Sequence, residues 1–163
     1  MASLNDIPAS LGKIILNLQS LEFTLRLFLY ETQKLGGSKP EDYANLTVGK
    51  WVSENPLTSY DTLGQLISKV NTELQNRGLQ EKVDISLVDI RDALAHGRFL
   101  ANQPNGPYRL FKFSRPKNGK VQVTVSLEMD SHWFADQIRG TLAEINKIVK
   151  IGRALGLTCF PTT

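Results

Sequence analysis

Seven consecutive residues, Arg91-Asp92-Ala93-Leu94-Ala95-His96-Gly97, bring a guanidinium, a carboxylate and an imidazole onto one short stretch of chain. Imidazole titrates near neutrality and can both accept and deliver a proton. A guanidinium keeps its charge and grips phosphate or carboxylate oxygens through a planar fork of donors. Asp92 precedes His96 by four residues, so on a helix the carboxylate lies one turn before the ring and can orient it by a hydrogen bond. A structural reading of the same residues stays open. Arg91 can bond carbonyls or an acid of a neighbouring helix. His96 can close a helix whose dipole favours a cation at that end, with Gly97 as a left-handed stop.

The remaining chemistry is sparse. The 163 residues include one cysteine, Cys159, and two histidines, His96 and His132, with no HExxH pattern. No disulfide framework, metal site or cofactor is therefore expected. Cys159 has no basic or histidine neighbour in sequence to activate it and receives no role. His132, beside Trp133 at a helix start, reads as a surface or packing residue, and Gly49 and Gly64 stand too isolated to cradle a phosphate.

Charge is more informative in its distribution than in its total. The net charge is only +3, yet no acidic residue lies between Asp92 and Glu128. That stretch carries Arg98, Arg109, Lys112, Arg115, Lys117 and Lys120, interleaved with Phe99, Tyr108, Phe111 and Phe113. Cations beside aromatic rings suit the phosphates and bases of a single-stranded nucleic acid. They equally suit a solvated surface whose aromatics serve the core. Apolar residues at 41% and charged residues at 21% describe a globular chain. The first residues lack the basic start of a secretory signal, and the apolar run Leu25–Tyr30 is short and broken by Arg26, so a cytoplasmic protein without a membrane span is expected.

Elements must hold these groups in place. Pro8 suits the first turn of a helix that begins at Asp6 or Ile7. Leu11, Ile14, Ile15, Leu18, Leu21, Leu25, Phe28 and Leu29 give it one apolar side, and Gly36-Gly37 should end it. Thr47 can cap a short helix closed by Pro56. A second long helix is expected over about Ser59–Arg77, with Tyr60, Leu63, Leu66, Ile67, Val70 and Leu74 on one side and Gly78 as its cap. A third is expected over about Leu79–His96, with Leu79, Val83, Leu87, Ile90 and Leu94 in one stripe. A β-hairpin is expected over 108–127. Of its two registers, the one with a three-residue loop and a left-handed Gly119 is favoured. It sets Phe111 opposite Val125 and Phe113 opposite Val123, burying Phe111, Phe113, Val121, Val123 and Val125 while Lys112 and the basic tip face solvent. The last helix runs from Asp130 or Ser131 to about Leu155, and residues 157–163 form a loosely ordered tail. Trp51, Trp133 and the phenylalanines are expected in the core. The fold class is mainly α, an antiparallel helical bundle with one β-hairpin inserted before the last helix, in a single domain over 1–163.

Here the chain resembles the HEPN superfamily (higher eukaryotes and prokaryotes nucleotide-binding). Its signature is an arginine, four to six residues, then a histidine at the end of a bundle helix. A polar residue often follows the arginine, as Asp92 does, and a small one the histidine, as Gly97 does. The resemblance implies a metal-independent endoribonuclease of the toxin or phage-defence type. In such a reaction the ribose 2′-hydroxyl attacks the adjacent phosphate. His96 would then be the acid/base group, Arg91 the clamp on the phosphorane-like transition state and Asp92 the group that orients the imidazole. Arg98, Arg109, Lys112, Arg115, Lys117 and Lys120 would bind the RNA. Silent members of the family, which keep the bundle as a nucleotide- or protein-binding module, supply the alternative, so enzymatic activity is an expectation that leans towards yes.

Geometry adds a partner. Arg91 and His96 lie about 140° apart around an ideal helix, and the arc between them holds Val88, Asp92 and Ala95 with Ile85 nearby. Apolar residues on a second side of a helix call for a second partner. A two-fold homodimer is expected, with Ile85, Val88 and Ala95 at the interface and a shared RNA cleft, an arrangement known for the family. An antitoxin or regulatory protein is a further implied partner.

Overall fold

Apolar residues at three- and four-residue spacing carry the first helix, α1, over Asp6–Thr32. The computed structural model describes residues 6–33, 45–101 and 107–160. Gly36 and Gly37, residues 102–106 of the expected loop and residues 161–163 of the expected tail lie outside them. Beyond α1 come α2 (Leu63–Asn76), α3 (Leu87–His96), β1 (Arg98–Ala101), β2 (Tyr108–Phe113), β3 (Val123–Met129) and α4 (Ser131–Ala154). The described chain is thus helix-rich, with one antiparallel sheet in the order β1-β2-β3.

Two compact units divide it. One combines Met1–Leu21 with Asp84–Ile145, the other Glu22–Val83 with Asn146–Thr163. In the first, Ile14 and Leu18 of α1 are buried, as are Leu87, Ala93, Leu110, Met129 and Phe134. Asn17 donates its amide to the Thr141 hydroxyl at 3.0 Å, so two polar side chains are satisfied away from water. In the second, Leu25, Phe28 and Leu29 are buried, together with Leu66, Ile67, Val70 and Leu74 of α2 and with Ile148. Each such side chain contributes roughly 1.5–3 kcal/mol on leaving water.

Several expected helical stretches are shorter, each for a local reason. Thr62 starts α2 with a capping box: Gln65 N–H donates to the Thr62 hydroxyl, and the Thr62 N–H donates to Gln65 Oε1 at 2.8 Å. Tyr60, placed on the inner side by the sequence reading, lies before this cap and is fully exposed. Gly78 closes α2 at φ 74° as expected. Thr47 caps no helix, because Lys50 N–H returns to its carbonyl in one turn (3.2 Å) and Asn55 and Thr58 bind the backbone further on. Trp51, expected in the core, is 97% exposed there, and Phe23 of α1 is also exposed. The third helix begins at Leu87 rather than Leu79. Asn71 brackets Val83, accepting its N–H at 2.8 Å and donating to its carbonyl at 3.1 Å. Asp84 then accepts from the Ser86 N–H at 2.9 Å. Both contacts withdraw backbone groups from any helical ladder over 79–86.

The sheet holds the largest departure. The expected hairpin gains a third strand, β1, paired with β2. Asn118 (φ 52°) and Gly119 (φ 73°) form a two-residue turn closed by Lys117 and Lys120, the tight loop that an Asn-Gly pair favours. Phe111 therefore faces Ser126, while Phe113 does face Val123 because the register shifts between Lys112 and Phe113. A one-residue change of register exchanges the two faces. Leu110 of β2 and Met129 of β3 are buried, whereas Val121 and Val123 are about half exposed, at 51% and 50%. Asp130 caps α4 by accepting the Trp133 N–H at 2.7 Å. After Gly156, Phe160 is buried against Gly152, and Thr158 donates to Glu31 at 3.0 Å, so residues 157–160 are packed rather than loose.

Candidate functional site

All the residues singled out for chemistry or RNA contact fall in the unit that contains Asp84–Ile145. α3 ends at His96, and Gly97 leads directly into β1 with no loop between them. Gly97 is not the left-handed stop that the sequence allows. Its φ is −76°, ordinary for any residue. A Cβ at this position would lie 2.3 Å from both the Ala93 carbonyl oxygen and Leu110 Cδ1. Glycine is needed here because α3 and β2 meet too closely for a side chain.

This junction sets Asp92 beside three cation-forming side chains. Its Oδ2 accepts from Lys112 Nζ at 2.5 Å. Its Oδ1 lies 3.8 Å from His96 Nε2 and 4.0 Å from Arg91 Nη1. The hydrogen bond from Lys112 holds the Asp92 carboxyl below the usual carboxylate range, against the opposing effect of partial burial, and the nearby charges of Lys112, His96 and Arg91 act in the same sense. At 3.8 Å the Asp92–His96 pair is beyond hydrogen-bond length, so the carboxylate attracts the imidazole without fixing it. His96 and Arg91 are exposed side chains.

Lys112 is the residue that the sequence reading misplaced. It was expected on the solvent face of a hairpin, and it instead joins β2 to α3 through Asp92. No local pattern reveals a contact 20 residues apart. Only the register could have placed it, and the two-residue turn decides the register.

The other basic residues divide by position. Arg109 pairs across the strands with Glu128 at 3.4 Å. Arg98 lies over the Phe113 ring, with its guanidinium carbon 5.2 Å from the centroid. Arg115, Lys117 and Lys120 are exposed around an open concavity of about 830 Å³ at the hairpin tip, with Asn118 and Gln122. Of the expected interface residues, Ile85 is 57% exposed, Val88 is half-buried and Ala95 is exposed.

Elsewhere the chain offers less chemistry. Burial pushes the Cys159 thiol up to about 11, and its hydrogen bond to Glu31 (3.0 Å) acts in the same direction, so it is a poor nucleophile. In the other unit, a groove of about 500 Å³ is lined by Glu54, Asp61, Lys69 and Glu73 together with Leu29 and Pro56. Two of its carboxylates are engaged, Asp61 by Lys69 at 2.6 Å and Glu73 by Arg77 at 2.7 Å. Among the described residues no group of three His, Cys, Asp or Glu side chains converges as a metal site, and no described helix is long and apolar enough to cross a membrane. No family model matches the sequence, and no curated protein or solved structure matches it either.

Proposed function

We propose that the chain is a metal-independent endoribonuclease of the HEPN type, acting as a homodimer on RNA. The observation that carries this reading is the Asp92 carboxylate, set within 4.0 Å of Arg91, His96 and Lys112 on an exposed helix end that runs straight into a basic sheet. The proposal includes the family's antiparallel helical bundle, a cytoplasmic setting and a restraining antitoxin or regulator.

In this reading the ribose 2′-oxygen bonds to the adjacent phosphorus as the P–O5′ bond breaks, leaving a 2′,3′-cyclic phosphate and a 5′-hydroxyl. An imidazole accepts the proton of the 2′-hydroxyl, and a protonated imidazole supplies one to the departing 5′-oxygen. One chain provides a single His96, so a two-fold cleft would supply both groups. It would also bring Arg91 of one copy towards His96 of the other, which about 140° of helix keeps apart within a copy. Arg91 stabilises the negative charge that accumulates on the phosphoryl oxygens. Asp92, held ionised by Lys112, keeps a negative charge 3.8 Å from His96.

The test is cleavage of labelled RNA in excess EDTA by wild type, His96→Ala and Arg91→Ala at matched folding. Each variant is expected to lose about 10²–10⁴-fold in rate while still binding RNA, with cyclic phosphate at the wild-type product ends. Equal cleavage by all three proteins assigns the activity elsewhere. A folded wild-type protein that binds RNA or nucleotides and never cleaves would instead favour the non-catalytic module.

A further inference from the structure

The three-stranded sheet has one packed face and one open face. Leu110 and Met129 mark the packed one, on which Lys112 reaches Asp92. Pairing of Arg98 with Phe111 puts both on the opposite face, and Phe113 follows two residues along the strand. The open face is unusual in its composition. Phe111 and Phe113 are only half-buried, Arg98 is exposed, and Leu100 and Val123 beside them are 53% and 50% exposed. Surface aromatics grouped in this way mark a contact surface more often than an accident of packing.

Charge selects the occupant. The stretch between Asp92 and Glu128 contains no acid, and Glu128 itself is engaged by Arg109. At the end of the same hairpin Arg115, Lys117 and Lys120 are exposed. The Arg98 guanidinium over Phe113 places a planar cation beside an aromatic ring, and unpaired bases stack on both kinds of surface. Bases within a duplex have their π-faces covered by their neighbours and cannot do so. We propose that this open sheet face is a stacking platform for unpaired bases, built on Phe113 and Arg98 with Phe111 beside them, which makes single-stranded RNA the substrate class. This rests on the reading of RNA as the substrate of the Arg91–His96 site. In sequence, Gly97 alone separates His96 from Arg98.

The experiment measures binding by the full chain carrying His96→Ala, so that RNA survives. The probes are a labelled RNA of roughly 12 nucleotides without self-complementarity and the same strand annealed to its complement. The parent is expected to prefer the single strand. Phe113→Leu should lower that preference about tenfold, and Arg98→Lys should lower it less, since charge is kept and the plane is lost. Phe113→Trp should retain the preference, and single-stranded RNA should quench the introduced indole. Equal binding of both RNA forms by the parent overturns the proposal. So does loss of the same factor on both forms in the Phe113 variants, or an indole emission that RNA leaves unchanged. Self-association abolished by Phe113→Asp without an effect on RNA would assign the face to a second copy and also overturn it. Cleavage by wild type with unaltered binding in the Phe113 variants removes this inference alone. Single-strand binding with the stacking signature, in a protein that never cleaves, upholds it and removes the catalytic reading.

Discussion

At Gly97 the missing side chain matters for space rather than for torsion. A methyl group there meets a carbonyl oxygen that belongs to its own helix and the Leu110 side chain of β2, both at 2.3 Å. Gly97→Ala is expected to destabilise the protein by about 1–3 kcal/mol, read as a lower urea midpoint. Adding Leu110→Ala should recover little, because the Ala93 carbonyl cannot withdraw. Asp92 gives a second residue-scale prediction. Its carboxyl is held below its ordinary value chiefly by Lys112. A depressed acid contributes stability that is complete above its unfolded pKa and lost as pH falls through the folded one. The stability difference between wild type and Lys112→Met should therefore be flat from neutrality to about pH 5 and shrink below that. A difference that persists unchanged into acid would show that Lys112 acts through packing alone.

Elements show where sequence reasoning holds and where it stops. The long apolar stripes of α1 and α4, apart from the exposed Ile15 and Leu142, the Gly78 cap and the position of His96 at a helix end were all legible, since periodicity and capping are local properties. Trp51, Tyr60 and the stretch 79–86 were not. Their apolar spacing is helical, but side chains distant in sequence or specific to one turn claim the backbone first, as Asn71 does at Val83. The hairpin was legible as a hairpin, and its facing was not. Hydrophobic pattern favoured burying Phe111 and Phe113, and the Asn118-Gly119 turn outvoted it, turning a presumed core face outward. The candidate site shared this fate. Arg91, Asp92 and His96 could be named from their spacing, whereas the place of Lys112 depended on a register that the Asn118-Gly119 turn sets against the hydrophobic pattern. Capping offers a direct check of an element. Thr62→Ala removes half of the box that starts α2 and should cost about 1 kcal/mol without moving the Asp92 cluster, measurable as a lower thermal midpoint with unchanged RNA affinity.

Taken as a molecule, the protein is expected to work as a pair. Ile85 is exposed on the approach to α3, so Ile85→Glu should cost the fold little and the dimer much. Sedimentation should show that variant as a monomer, with cleavage lost in proportion. A composite cleft makes a further demand. Mixing wild type with inactive His96→Ala should lower activity more steeply than dilution alone, because a mixed pair keeps only one of the two imidazoles. Activity that falls only in proportion to the wild-type share, with subunit exchange verified, would place the whole site within one chain.

Both compact units draw on segments from widely separated parts of the sequence, and Glu31 near the end of α1 meets Thr158 and Cys159, residues 127 and 128 positions later. Synthesis proceeds from one end, so the segment that completes the second unit is made after every other part of it. The second unit therefore stays incomplete in the emerging polypeptide until residues 146–160 leave the ribosome. A chain cut short in that region would be a substrate for chaperones and proteases rather than a smaller version of the protein.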